Sequence, residues 1–193
     1  MSAHHQPLAM SFMKTRAGAG QSVSLVVVGT ALLALSAKVN VPLPYVPMTM
    51  QTLVVLMIGV AYGWRLGTAT ILIYLAEGAL GLPVFAGPIG GLAPMIGPTA
   101  GYLAGFVAAA FIAGWLAKRG WDRSVPALFA AMMIGHAIIL AMGFGWLMYG
   151  INLGADKAWW IGVVPFLAGS LVKSALGAAL LPAMRRMSDR RKG

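Results

Sequence analysis

Long apolar runs alternate along this chain with short clusters of charge, proline and glycine, and the charges gather in those clusters rather than along one polar face. A membrane-crossing helix needs about 20 predominantly apolar residues. Six runs approach that length: 22–39, 48–63, 66–81, about 98–117, about 124–149 and about 166–186. The second and third are divided by Gly63-Trp64-Arg65-Leu66-Gly67, and the stretch from Pro47 to Pro83 has only 37 residues, so both helices are predicted to be short. The pattern predicts an all-α integral membrane protein with six transmembrane helices. Its parts are an N-terminal cytoplasmic segment (1–21), a membrane domain (22–186) and a basic cytoplasmic tail (187–193). Lys14 and Arg16 before the first run, with Ala34-Leu-Ser36 inside it, also fit a secretory signal. That run is long for a signal and leads into an apolar, proline-rich loop rather than a polar mature domain.

Composition agrees with the pattern. Of 193 residues, 60% are hydrophobic and 9% charged, with a mean hydropathy of +0.84, whereas soluble domains carry about a quarter charged residues. There is no cysteine, and the acidic inventory is Glu77, Asp122, Asp156 and Asp189. Thiolate chemistry and disulfides are excluded, and paired-carboxylate catalysis or a carboxylate-rich metal cage nearly so. No Gly-x-x-x-x-Gly-Lys-Ser/Thr loop is present, so ATP-driven work would require another chain.

The net charge of +10 is a matter of orientation rather than nucleic-acid binding. With six spans and both termini cytoplasmic, Lys14, Arg16, Arg65, Lys118, Arg119, Arg123, Arg185, Arg186, Arg190, Arg191 and Lys192 lie inside, leaving Lys38, Lys157 and Lys173 outside or in the outer half. If 48–81 were one span, Arg65 would fall near mid-membrane, at about 2.5–3.5 kcal/mol on insertion scales, and the later basic loops would invert.

Two outer segments are unusual. Val41-Pro42-Leu43-Pro44-Tyr45-Val46-Pro47 has three prolines and no charge, and residues 82–98 hold four Gly, four Pro and no polar side chain. Their composition is expected to prevent a helix, yet the side chains are too apolar for water. Irregular backbone at membrane depth is tolerated where it is buried or lines a cavity, so the sequence predicts a substrate pocket at the outer face roofed by two apolar loops. Gly150 to Pro165, with Asn152, Asp156, Lys157, Trp159 and Trp160, reads as a short headgroup-level segment.

Within that frame Lys173 stands out as an ammonium predicted about 10 Å below the outer end of its helix, at 1.5 Å per residue. It needs an anionic ligand, a watery cavity, or a partner such as Glu77. Gly169 and Gly177 flank it on one face. Tyr74, Glu77, Gly78 and Gly81 form a small or polar stripe on the third helix, and Thr49, Gln51, Thr52 and Asn152 supply uncharged hydrogen-bonding groups. His136 has no neighbouring ligand and reads as a hydrogen-bonded interior histidine; no metal site is expected. Gly59, Gly63 and Gly67, and likewise Gly101 and Gly105, are small-residue repeats that favour close helix packing or docking of another membrane subunit. Ser170-Leu-Val-Lys173 matches the Ser-x-x-Lys spacing of a serine nucleophile and lysine base, without companion motifs.

Four ordered motifs carry a resemblance. Val41-Pro-Leu-Pro with Pro47-Met-Thr49-Met-Gln51, Tyr74-Leu-Ala-Glu-Gly78-Ala-Leu-Gly81-Leu-Pro83-Val-Phe85-Ala-Gly87, Gly90-Gly91 with Gly97-Pro-Thr-Ala-Gly101-Tyr102, and Val164-Pro-Phe-Leu-Ala-Gly169-Ser170-Leu-Val-Lys173 look like the biotin-binding BioY family, over about residues 22–185. These are substrate-capture S-components of energy-coupling-factor (ECF) vitamin transporters. The resemblance implies a six-helix fold and biotin as transported substrate, with no cofactor. It also implies a transmembrane coupling subunit and two ABC-type ATPase subunits as partners, and the bacterial cytoplasmic (inner) membrane as location. It extends the candidate ligand contacts Lys173, Ser170, Tyr74, Glu77, Thr49, Gln51 and Asn152 to Phe85, Gly91 and Tyr102. Two positions depart from the pattern: Ser170 stands where the family usually has an acidic residue, and Ala100 where it usually has glycine. The Ala-x-x-x-Ala signature of helix one is replaced by Thr30-x-x-x-Ala34. Biotin capture and uptake, without catalysis by this chain, is therefore the expected function. An intramembrane Ser/Lys hydrolase and a ligand-free structural membrane subunit are the alternatives, and a homo-oligomer is a further candidate assembly.

Overall fold

A computed structural model of the chain describes residues 19–87 and 90–190, with side chains as far as 182. Helix α1 spans Ala19–Lys38. Two short strands, β1 (Asn40–Val41) and β2 (Met48–Thr49), pair antiparallel around the three-proline loop, with Asn40 opposite Thr49. Helix α2 spans Gln51–Ala79, α3 is a single turn at Ala93–Ile96, and α4 spans Ala100–Leu116 and runs into a π-helical turn at Ala117–Trp121. Helices α5 (Val125–Tyr149), α6 (Ala155–Gly162) and α7 (Val164–Arg190) complete the chain. Among the described residues, five helical stretches are long and apolar enough to cross a membrane: Ala19–Lys38, Gln51–Ala79, Ala100–Trp121, Val125–Tyr149 and Ala155–Pro182.

Helix α2 is not straight. Gly63 has φ 78° and ψ 167°, a conformation that only glycine adopts at little cost, and the helix breaks there. Its halves then fold back on one another. Gln51 Nε2 donates to the Tyr74 hydroxyl at 2.6 Å, a pair that an unbroken helix would hold about 35 Å apart. The two expected runs 48–63 and 66–81 are thus one broken helical element with antiparallel halves.

Other boundaries follow ordinary capping chemistry. Ser124 is extended and its hydroxyl accepts from the Ala127 N–H, opening α5 with Pro126 in the first turn, where a missing N–H costs nothing. Gly81, at φ 99°, turns the chain out of α2 while Gly81 N–H donates to Gly78 O and Leu82 N–H to Glu77 O. One expectation is corrected here: residues 82–98 do contain helix, the turn Ala93–Ile96. Pro94 is tolerated because it occupies the first turn.

Small residues set the packing at the Gly63 end. A Cβ on Gly59 would strike the Ala110 carbonyl, and one on Gly114 would strike the backbone of Gly59 and Trp64. A Cβ on Gly67 would lie 3.0 Å from the Gly59 Cα. The halves of α2 and the C-terminal part of α4 therefore meet backbone to backbone, as small residues allow in membrane helices. The glycine repeats thus serve internal packing: Gly101 meets Trp146 and Met142, and Gly105 meets Ile139. Helix α1, by contrast, exposes Val23, Val27, Val28, Leu32 and Leu35 on its outer face. Helix α6 leaves Trp159 and Trp160 exposed while Ala158 and Gly162 are buried.

Candidate functional site

At the opposite end from Gly63 the helices separate. The N-terminal ends of α2, α4 and α7 and the middle of α5 enclose a cavity of about 260 Å³, near the lower end for small-ligand pockets. Val46 and Pro47 of the proline loop and Phe85, Ala86 and Gly87 of the longer loop cover it. Leu103, Phe106, Ile139, Leu140 and Phe166 make much of the wall apolar. No Asp or Glu lines it; the charged group is Lys173.

Lys173 is 7% exposed and lies nine residues after Val164, the first residue of α7. Its ammonium donates to the Thr49 carbonyl at 2.6 Å and to Thr52 Oγ1 at 3.4 Å. The β1–β2 pairing and the start of α2 bring both acceptors to it. An ammonium has three N–H donors, so one remains for an acceptor in the cavity. Gly169, one turn earlier, leaves room for Met48 beside the Lys173 ammonium, whereas the space at Gly177 is taken by Met132. Glu77 is not its partner. That carboxylate is half-buried, off the cavity wall, and no ion pair joins it to Lys173 among the described residues.

Of the expected contacts, Thr49, Gln51, Phe85, Tyr102, Ser170 and Lys173 line the cavity, and Tyr74, Glu77, Gly91 and Asn152 do not. The exceptions have physical reasons. Tyr74 lies one layer behind the wall: its hydroxyl accepts from Gln51 and donates to Val84 O at 2.8 Å, and its ring meets Phe85 edge-on at 5.6 Å. It orients Gln51 and anchors the roof. Glu77 is one turn further along, where its backbone carbonyl closes the end of α2. Gly91, at φ 93°, ties the returning loop to Gly78 O through its N–H at 2.7 Å. Asn152 has φ 56° and is exposed in the α5–α6 connection. Gly78 belongs to the roof too, because a Cβ there would collide with the Phe85 ring.

The roof is held from several sides. Lys38 Nζ donates to Phe85 O at 2.8 Å and Gly87 O at 2.9 Å, and Trp146 Nε1 donates to Gly97 O at 2.9 Å. Tyr102 ties the wall to α6: its hydroxyl donates to Gly162 O at 2.6 Å while the ring lines the cavity. Two polar wall residues, His136 and Thr99, were not among the expected contacts. His136 faces the cavity and is bound to Thr52 and Ser174, and Thr99 bonds Pro94 O at 2.7 Å. The signal for His136 lay in its helical spacing with Ile139 and Leu140, which share its wall. Helix α5 is apolar all round, so spacing alone does not separate a cavity face from a lipid face.

The family model described as the BioY family matches residues 9–190. The chain belongs to the BioY family. Among its BioY relatives, the probable biotin transporter BioY of Pyrococcus horikoshii is 41% identical over 155 residues, which is 80% of this chain and 90% of the relative. The biotin transporter BioY of Rhizobium etli is 39% identical over 142 residues, 70% of this chain and 75% of the relative. The crystal structure of the S-component for biotin from an ECF-type ABC transporter matches with a TM-score of 0.76 at 25% identity, over 92% of this chain and 96% of that one. Against the BioY pattern, Ser170 leaves the last motif without its acidic residue, and no other carboxylate of the described residues takes its place on the wall. The Ser-x-x-Lys spacing gains no support as a nucleophile–base pair, because the hydrogen bonds of Lys173 go to Thr49 and Thr52 rather than to Ser170.

Proposed function

We propose that this chain captures biotin at the outer face of a bacterial cytoplasmic membrane, as the substrate-specific component of an ECF-type transporter. The observation that carries the reading is a largely apolar cavity of ligand size containing one buried cation and no carboxylate. Biotin offers an apolar bicyclic ring for the wall, a ureido group for Thr and Gln side chains, and a carboxylate for the remaining N–H of Lys173. The names of the relatives and of the matched crystal structure point to the same substrate.

In this reading the membrane is crossed six times, with each half of α2 counted as a crossing and both termini in the cytoplasm. Support comes from the fold-back at Gly63 beside Arg65, and from Lys118, Arg119 and Arg123 at the same end as the glycine packing. The positive-inside rule assigns that end to the cytoplasm and the cavity to the outside. A transmembrane coupling subunit and a pair of ABC-type ATPases would supply the energy, since this sequence carries no phosphate-binding loop.

The test compares biotin with its methyl ester on purified protein. A charged hydrogen bond is worth about 1.5–3 kcal/mol, so Lys173→Ala should weaken biotin binding by roughly one to two orders of magnitude. The uncharged ester should lose much less. Equal losses for acid and ester would make Lys173 a structural group and remove its part in the reading.

A further inference from the structure

We propose that His136 is a positioning residue for Lys173, acting through the hydroxyl of Thr52. The inference rests on the reading of Lys173 as the contact for the ligand's anionic group. His136 is 2% exposed, at the meeting of α5, α2 and α7. Its Nδ1 lies 3.1 Å from the Met132 carbonyl oxygen and 3.0 Å from Ser174 Oγ, and its Nε2 lies 3.2 Å from Thr52 Oγ1. Thr52 Oγ1 in turn is 3.4 Å from the Lys173 ammonium.

The Met132 carbonyl decides the tautomer, because the Ser174 hydroxyl can accept from Nδ1 as readily as donate to it. A carbonyl oxygen only accepts, so Nδ1 carries the ring hydrogen. No carboxylate lines the cavity to balance a second positive charge beside Lys173, and the ring is neutral, with a lone pair on Nε2. The Thr52 hydroxyl spends its single hydrogen on that lone pair. What it then presents to Lys173 is its oxygen lone pairs. The opposite tautomer would set the Nδ1 lone pair against the Met132 carbonyl, spend one Thr52 lone pair on Nε2–H and leave the Thr52 hydrogen undirected.

His136 thus fixes the Thr52 hydrogen on the side away from the ammonium and keeps the Thr52 lone pairs free for Lys173. With the Thr49 carbonyl as the second fixed acceptor, two of the three ammonium hydrogens are committed, and the third is directed at the ligand space. The fold places a polar relay from the Met132 backbone along the cavity wall to the Lys173 ammonium.

Two arms test this, one without ligand. Ring nitrogen-15 spectra of the full chain in lipid nanodiscs at neutral pH, with His136 assigned by its loss in His136→Gln, should show Nδ1 protonated and Nε2 unprotonated. Thr52→Val should shift the Nε2 resonance by removing its donor. A protonated Nε2, or an Nε2 signal indifferent to Thr52→Val, overturns the relay. In the second arm, His136→Leu and Thr52→Val should each weaken biotin binding about tenfold, the double variant should lose no more than either alone, and Thr52→Ser should stay near wild type. Multiplying losses in the double variant would mean independent effects and also overturn the relay. Wild-type protein that fails to bind biotin would instead defeat the functional reading, with the spectra still deciding the relay.

Discussion

The Gly63 side and the Gln51 side of the α2–α4 packing solve opposite problems with the same pair of helices. Near Gly63, the glycines at 59, 67 and 114 bring backbones into contact and leave no space. Near Gln51 and Tyr102, bulky side chains and the two apolar loops hold the helices apart around a cavity of about 260 Å³. Rigidity at one end and an opening at the other therefore arise from side-chain size along one interface, not from different architectures. Damage at the closed end should appear as lost folding, and damage at the open end as altered binding by a folded protein.

The largest effect is expected at the closed end. Gly114→Val would drive side-chain atoms into the backbone of Gly59 and Trp64, an overpacking that flexible neighbours cannot absorb. It should cost about 3 kcal/mol or more, seen as loss of the monodisperse folded species in detergent size-exclusion chromatography. A well-folded Gly114→Val protein would break the distinction between the two ends.

At the open end, Lys38→Met should leave folding intact but free the roof from its hold on Phe85 O and Gly87 O. Biotin dissociation should accelerate about fivefold, the scale of one solvent-screened hydrogen bond. Amide exchange around 84–87, expected to slow when biotin binds wild-type protein, should slow less in the variant. Unchanged dissociation would show that Tyr74 and Trp146 suffice to hold the loop. The smallest effect is expected for Gly145→Ala, where an added Cβ meets nothing within 4 Å. Stability should rise by about 0.5–1 kcal/mol in a thermal melt, with binding unaltered.

The helices were legible because apolar length is a one-dimensional property: the run predicted at 124–149 is the helix Val125–Tyr149, and that at 98–117 is Ala100–Leu116 with its π-helical turn. Lys173 was legible for a related reason, since a cation inside an apolar run is conspicuous. Its partners were not. A pairing with Glu77 is what side-chain chemistry suggests, whereas the observed acceptor is a backbone carbonyl that reaches Lys173 only because β1 and β2 pair around the prolines. Tyr74 shows the same limit, its helical stripe being real but spent on Gln51 and the roof rather than on the cavity.

The break at Gly63 also has a consequence for the lipid around the protein. From Gln51 to the break, helix α2 has about a dozen residues and rises about 18 Å, against a hydrocarbon core of about 30 Å. An exposed segment that short would draw the leaflet inward, but none of residues 51–62 is exposed, so the neighbouring helices shield this half from the mismatch. Lipid instead meets helices such as α1, whose Val23, Val27, Val28, Leu32 and Leu35 are exposed, and the short half of α2 asks for no thinning of the bilayer around it.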